Sequence, residues 1–275
     1  MKRTESRNEK TMYIDRETTG GMLRLIQDEN YNAVKAIEDA MPAIEKACDM
    51  IYERMTRGGR LIYMGAGTSG RLGVMDAVEC PPTYGVSSEL ISGIIAGGYE
   101  RMVIAAEGAE DVGEAGIHDL TNKNLQPKDT VLGISVAGNA AYVADALAYA
   151  RGLGCLTVGL TCNVGSRLDV ESDISIVTET GPEAITGSTR MKAGSAHKMV
   201  LNMISTTVMI KMGNVYQNLM INVKPTNIKL KKRVISIVCD ILACDEETAV
   251  TLLEQHNWSI REAVEVSDTS RKIYS

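Results

Sequence analysis

The stretch Arg60–Gly85, RLIYMGAGTSGRLGVMDAVECPPTYG, restricts what this chain can fold into more than any other. The apolar run Leu61-Ile62-Tyr63-Met64 has the length of a buried strand. Gly65, Gly67 and Gly70 follow, interleaved with Thr68 and Ser69, and then Leu72, Met75 and Val78 at helical spacing. A strand, a glycine turn and a helix N-terminus in that order aim unpaired backbone N–H groups and the positive end of a helix dipole at one point. That point is an anion site. The hydroxyls of Thr68 and Ser69 add donors of their own. The helix is predicted to run to Glu79 and to stop at Pro81-Pro82. A carboxylate there opposes the dipole, and function is one reason to keep it.

GAGTSG is also a formal match to the dinucleotide fingerprint G-x-G-x-x-G. Nothing upstream of Arg60 reads as the start of a βαβ unit, and no acidic strand end follows about 20 residues on. A phosphate or phosphosugar is therefore the preferred ligand, with a dinucleotide and a purely structural turn as the alternatives.

Farther along, DTVLGIS (129–135), CLTVGLT (155–161) and 174–178 read as three more strands. A turn at Gly138-Asn139 and a helix from Ala140 to Arg151 follow the first of them. Strands alternating with helices predict an α/β fold, a parallel sheet flanked by helices in three layers. Ligands of such sheets sit beyond the carboxyl ends of the strands, where both glycine turns, 65–70 and 136–139, fall. Before the sheet, residues 1–19 are polar and aperiodic and are predicted to be a disordered arm unless an oligomer orders them. Val34, Ile37, Met41, Ile44, Cys48, Ile51 and Met55 form an apolar helical seam interrupted by Pro42, which predicts a kink or two abutting helices. Another helix is expected at about 99–107. A long one ends near Met212, capped by Ser188 or Thr189, with Arg190 and Lys192 in its first turn. Cations there oppose the dipole, which makes sense with an anion bound, or else as a solvated charge pair. Three helical segments, 227–243, 246–255 and 258–266, form a small C-terminal bundle, so the domains are drawn at 1–225 and 226–275.

The 275 residues suffice for one large and one small unit, and 44% apolar with 23% charged residues describe a water-soluble globule. A net charge of −6 argues against nucleic acid as a bulk partner. No apolar run reaches a membrane span, and MKRTESRNEK has no signal core. Cys48, Cys80, Cys155, Cys162, Cys239 and Cys244 include no CxxC pair and read as reduced cytoplasmic thiols. The histidines, His118, His197 and His256, are far apart, so no metal site is expected.

Seven segments together resemble one family: TESRN (4–8), GAGTSGRLG (65–73), ECPPT (79–83), IAGG (95–98), EGAED (107–111), TGSTRMKAG (186–194) and VKPTN (223–227). They are similar to the N-acetylmuramic acid 6-phosphate etherases of the sugar isomerase (SIS) superfamily, which shares ancestry with the glucokinase regulatory protein. The resemblance implies an SIS-like, flavodoxin-like topology with a UBA-like C-terminal domain. It also implies a cytoplasmic homodimer that uses no metal or cofactor. The implied reaction removes the D-lactyl ether of N-acetylmuramic acid 6-phosphate, giving N-acetylglucosamine 6-phosphate and D-lactate in cell-wall recycling. Glu79 matches the family's acid, which protonates the departing lactate. Glu110 matches its second catalytic carboxylate, here taken as the base at C2, although Glu107 is three residues away. Gly67, Thr68, Ser69 and Gly70 match substrate-binding positions, Ser135 and Gly138 remain from a second such turn with Asn139 as a further expected contact, and Ser188, Thr189 and Lys192 are placed in the same pocket.

One turn departs from the family. Where relatives carry a turn of the type A-A-S-G-R-T-P-Y, this chain has Ser135-Val136-Ala137-Gly138-Asn139-Ala140-Ala141-Tyr142. Ala137, Ala140 and Ala141 offer no side-chain donor, and each lost hydroxyl contact to a phosphate costs about 1.5–3 kcal/mol. Asn139 and backbone amides are the expected compensation. A non-catalytic phosphosugar sensor is the rival reading, but it needs neither Glu79 nor Glu110. An aldose–ketose isomerase has no use for the ECPPT acid.

Overall fold

The computed structural model describes residues 3–105, 108–225 and 227–267. Glu107, Thr226 and the tail beyond Ser267 lie outside the described residues, as does the proposed boundary itself.

Helix α1 (Thr19–Thr56) precedes β1 (Leu61–Gly65), α2 (Gly67–Tyr84) and β2 (Ile91–Ile95). After these come α3 (Gly113–Asn122), β3 (Thr130–Ile134), α4 (Ala141–Gly152), β4 (Leu156–Thr161), α5 (Arg167–Glu171) and β5 (Ile174–Val177). All five strands pair in parallel, in the order β2-β1-β3-β4-β5. That is the 2-1-3-4-5 order of flavodoxin-like sheets. The period-2 alternation of side chains divides the core. Leu61, Tyr63, Leu132 and Ile134 pack toward α1, α2 and the later helix α6 (Lys192–Lys211). Ile62, Met64 and Val131 pack toward α3 and α4.

Strand β2 was not foreseen. Its sequence, ISGII, is short and holds Gly93, which periodicity reads as a break. A Cβ there would lie 2.6 Å from the Val74 Cα, so the glycine lets α2 pack flat on the sheet edge. Of the helix expected at 99–107, the described residues 99–105 form only one 3-10 turn, Tyr99–Met102. Tyr99, Val103 and Ile104 are all exposed, so no apolar face exists to hold a helix against the core.

At two places proline fails to end a helix. Helix α1 runs 38 residues through Pro42, one helix where two abutting ones were an alternative, and is capped by Thr18 Oγ1, which accepts from the Gly21 N–H at 3.1 Å. Its buried face is built from Ala33, Ala36, Ala40 and Ala47 beside Ile37, Ile44, Cys48, Ile51 and Met55. Val34 and Met41, assigned to the seam, are 50% and 45% exposed. Helix α2 likewise passes Pro81-Pro82 and ends one turn later at Gly85, whose φ of +69° closes it. Buried Cys80 and Tyr84 anchor that last turn in the core.

The N-terminal arm is docked on its own chain. The Asn163 amide donates to Thr4 Oγ1 (3.0 Å), the Asn8 amide to the Pro182 carbonyl (3.1 Å), and the Thr11 hydroxyl to the Ala184 carbonyl (2.8 Å). Thr4, Asn8 and Thr11 are all buried, which overturns the disordered arm.

Beyond α6, a hairpin of β6 (Val215–Tyr216) and β7 (Leu219–Met220) leads to α7 (Ile228–Leu242), α8 (Glu246–Gln255) and α9 (Ile260–Ser267). Ile221 and Val223 share a separate core with Val234, Val238, Leu253 and Val264 of these helices. Among the described residues no helix is long and apolar enough to cross a membrane.

Candidate active site

At the carboxyl edge of the sheet lies a cavity of about 280 Å³. The turn after β1 supplies Ala66, Gly67, Thr68 and Ser69; the end of β3 supplies Ile134, Ser135, Val136, Ala137 and Ala140. Gly187, Thr189 and Gly194 close a third side, and Glu110 and Glu5 add two carboxylates.

The N-terminus of α2 is open to this cavity. Ala66 at its cap makes no side-chain hydrogen bond to the first turn, so the N–H groups of residues 67–69 have no intrahelical acceptor. Gly67 takes φ +53°, and no atom lies within 4 Å of where its Cβ would be. Gly70 has a different task. Its Cβ would sit 2.5 Å from the Gly65 carbonyl oxygen and 2.7 Å from Ile95, so it permits close helix–strand packing and does not line the cavity.

The second turn contributes less than expected. Ser135 reaches the cavity, but its hydroxyl also accepts from the Gly138 N–H (3.1 Å). Gly138, at φ +72°, is required because a Cβ would lie 2.1 Å from Ser166 Oγ. Asn139 does not line this cavity; its Oδ1 accepts from the Arg167 N–H (2.9 Å) and holds the start of α5.

The third segment corrects the sequence reading most. Helix α6 starts at Lys192, and neither Ser188 nor Thr189 caps it. The Glu183 carboxylate, fully buried, accepts from the backbone N–H groups of Lys192 (3.2 Å) and Ala193 (2.9 Å). Burial pushes the Glu183 carboxyl up, while these amides and Lys192 oppose the shift. The anion at this helix terminus is therefore part of the protein. Thr189 lines the cavity; Ser188 does not, and Lys192 turns away to ion-pair with Glu29 of α1, both side chains being at most 5% exposed. Burial alone raises the Glu29 carboxyl, but hydrogen bonding and attraction from Lys192 outweigh it and hold it below its ordinary 4.5. A depressed carboxyl adds stability above its unfolded value, so this contribution is lost as the pH falls below about 4.5.

A measurement separates the two roles for Lys192. Lys192→Met is expected to lower the unfolding free energy by about 3–5 kcal/mol in urea titrations, since it strands a buried carboxylate. A substrate contact predicts instead a raised KM at unchanged stability.

The two sequence-nominated carboxylates are not brought together within one chain. Glu110 stands exposed on the single 3-10 turn Ala109–Asp111 at the cavity wall. Glu79 is exposed on α2, twelve residues beyond Gly67, about 18 Å along the axis at 1.5 Å per residue. It does not line the cavity. Glu5 is the carboxylate that sequence reasoning missed. The docked arm carries it there, and its Oε2 would be 3.5 Å from a Cβ on Gly187. The TESRN motif contained this residue, but only the long-range hydrogen bonds of Thr4 and Asn8 show where the arm goes.

Below the floor, His197 and Cys162 are buried side by side (Nε2···Sγ 3.4 Å). Burial pulls the imidazole down to about 4 and pushes the thiol up, so both are neutral near pH 7 and act as packing. Among the described residues no group of three His, Cys, Asp or Glu side chains could hold a metal ion.

Comparison with known proteins agrees with this architecture. Residues 43–151 match the glucokinase regulatory protein N-terminal SIS domain, residues 105–212 the SIS domain, and residues 234–266 a UBA-like domain. A solved structure of an E. coli CFT073 protein superposes with a TM-score of 0.51 at 18% identity, covering 74% of this chain and 97% of that one. The N-acetylmuramic acid 6-phosphate etherase of Bacillus subtilis (strain 168) is 51% identical over 97% of this chain and 88% of its own length. That of Clostridium beijerinckii is 51% identical over 95% of this chain and 86% of its own. With half of all positions shared along nearly its whole length, the chain belongs to the N-acetylmuramic acid 6-phosphate etherase family.

Proposed function

We infer that the chain cleaves the D-lactyl ether of N-acetylmuramic acid 6-phosphate, releasing D-lactate and N-acetylglucosamine 6-phosphate. The observation that carries this is the identity of 51% over 97% of the chain to an etherase, on a fold whose open helix terminus meets a carboxylate. In the open-chain aldehyde the C2 proton is acidified by the neighbouring carbonyl. A base removes it, the C3–O bond breaks, and C2=C3 forms. An acid protonates the departing ether oxygen as lactate leaves. Water then adds at C3, and a proton returns to C2.

We assign the base to Glu110, which stands at the cavity wall, and the acid to Glu79. Paired carboxylates acting on one sugar stand roughly 5–9 Å apart in sugar-cleaving sites. Glu79 therefore serves a cavity other than that of its own chain, which fits the homodimer implied by the sequence motifs. The N–H groups of α2 with Thr68 and Ser69 receive the phosphate, and Ser135 and Thr189 contact the sugar. A phosphosugar-binding unit followed by a UBA-like unit is supported by the separate core of α7–α9, which Ile221 and Val223 join from before the boundary drawn at 225/226. A cytoplasmic setting fits a phosphorylated substrate of cell-wall recycling, and a net charge of −6 speaks against nucleic acid as a partner.

Lactate release is the direct test. The purified chain should release D-lactate from N-acetylmuramic acid 6-phosphate and none at a comparable rate from the unphosphorylated sugar. No lactate from either, with phosphosugar binding intact, sinks the enzyme and leaves a sensor. Equal rates from both would remove the phosphate from the α2 terminus.

A further inference from the structure

A second cavity, of about 310 Å³, adjoins the first and shares Ala66, Gly67 and Glu110 with it. The chemistry of the two differs. No lysine or arginine lines the first, whereas the second holds two guanidinium groups, Arg71 and Arg101. Arg71, on α2, is anchored by Nε, which donates to the Met102 carbonyl (3.0 Å). Arg101, on the 3-10 turn after β2, lies against Gly97, and its Nε is buried with no hydrogen-bond partner among the described residues. Neither guanidinium is ion-paired among the described residues. Cations gathered and partly desolvated this way are unfavourable unless an anion joins them.

We propose, resting on the etherase reading above, that Arg71 and Arg101 form the subsite for the lactyl carboxylate of the substrate. The substrate's connectivity supports the assignment. The base acts at C2, the lactyl group hangs from the adjacent C3, and the phosphate is three carbons beyond that, at C6. Glu110 stands on the wall common to both cavities. A sugar with C2 at Glu110 extends its phosphate to the α2 terminus in the first cavity and its lactyl arm into the second. A planar carboxylate takes two parallel N–H bonds from a guanidinium fork, which fixes the ether oxygen in orientation as well as place. The same contacts discriminate between substrate and product, since N-acetylglucosamine 6-phosphate has nothing to offer the arginines and is released.

Calorimetry and initial-rate kinetics on the full chain test this. Arg101→Gln should raise KM for N-acetylmuramic acid 6-phosphate roughly 10- to 100-fold, the loss of a charge-assisted pair, and change N-acetylglucosamine 6-phosphate binding less than about twofold. Arg101→Lys should recover part of the loss. Substrate with its lactyl carboxylate converted to the amide should bind the unaltered chain weakly and Arg101→Gln no more weakly still. Equal weakening of both sugar phosphates would assign the arginines to the phosphate and overturn the proposal, as would unchanged affinity for both. Should the unaltered chain release no lactate, the etherase reading fails separately. Calorimetric comparison of the two sugar phosphates then still decides the subsite.

Discussion

Glutamine in place of Glu110 is expected to lower the rate of lactate release about 10²- to 10⁴-fold, the usual contribution of a general base. The substitution keeps the shape and hydrogen-bonding capacity of the side chain and removes only its ability to take a proton. Glu110 is exposed on a short turn and holds no part of the core, so thermal unfolding should be unchanged. Isotope exchange makes the test sharper. In deuterated water a working base exchanges the C2 proton of N-acetylglucosamine 6-phosphate, which has no lactyl group to lose. Glu110→Gln should abolish this exchange. Glu79→Gln should retain it and lose ether cleavage, because the acid is needed only when the C3–O bond breaks. Exchange that survives in Glu110→Gln would move the base elsewhere, and Glu5 is the other carboxylate on the same cavity.

The elements read correctly in advance were those whose signal is local. An apolar strand run, a glycine turn at Gly65–Gly70 and an amphipathic helix are written in neighbouring residues, as are the three C-terminal helices, predicted within two residues of their ends. What escaped depends on contacts between distant residues. Gly93 breaks a strand by propensity but serves helix packing against Val74. The arm looks disordered because its anchors are single hydrogen bonds to residues some 160–175 positions away. Lys192 reads as an anion-binding cation beside a helix terminus, and the anions it and its helix serve turned out to be Glu29 and Glu183 of the same chain. Helix dipole arguments correctly demanded negative charge there; they could not tell substrate from protein. The alanine-rich turn was legible as a departure, yet the part Asn139 plays in holding α5 was not, since its partner Arg167 lies 28 residues on.

Glu79 yields the prediction that bears most on how the site is assembled. Chains carrying Glu79→Ala and chains carrying Glu110→Ala should each be inactive alone, and mixing them after mild unfolding and refolding should restore activity. At equal amounts half of the dimers are mixed, and one of the two sites in each mixed dimer is intact, so about a quarter of the unaltered rate should return. The physical ground is the roughly 18 Å of helix separating Glu79 from the cavity of its own chain. Glu79 also lies on a face of α2 where Met75 and Val78 are exposed, and α1 presents Leu23, Val34 and Met41 to solvent as well. Apolar surface of that kind on two long helices favours burial against a second copy, which would carry the acid to a cavity that already holds the base. If both carboxylates acted within one chain, no mixture could contain an intact site, and the activity of the mixture would stay at that of its inactive parts. Should Glu79→Ala instead stay active on its own, the acid must come from the cavity itself. Glu5→Gln would then be expected to abolish lactate release while sparing C2 exchange, the phenotype otherwise assigned to Glu79.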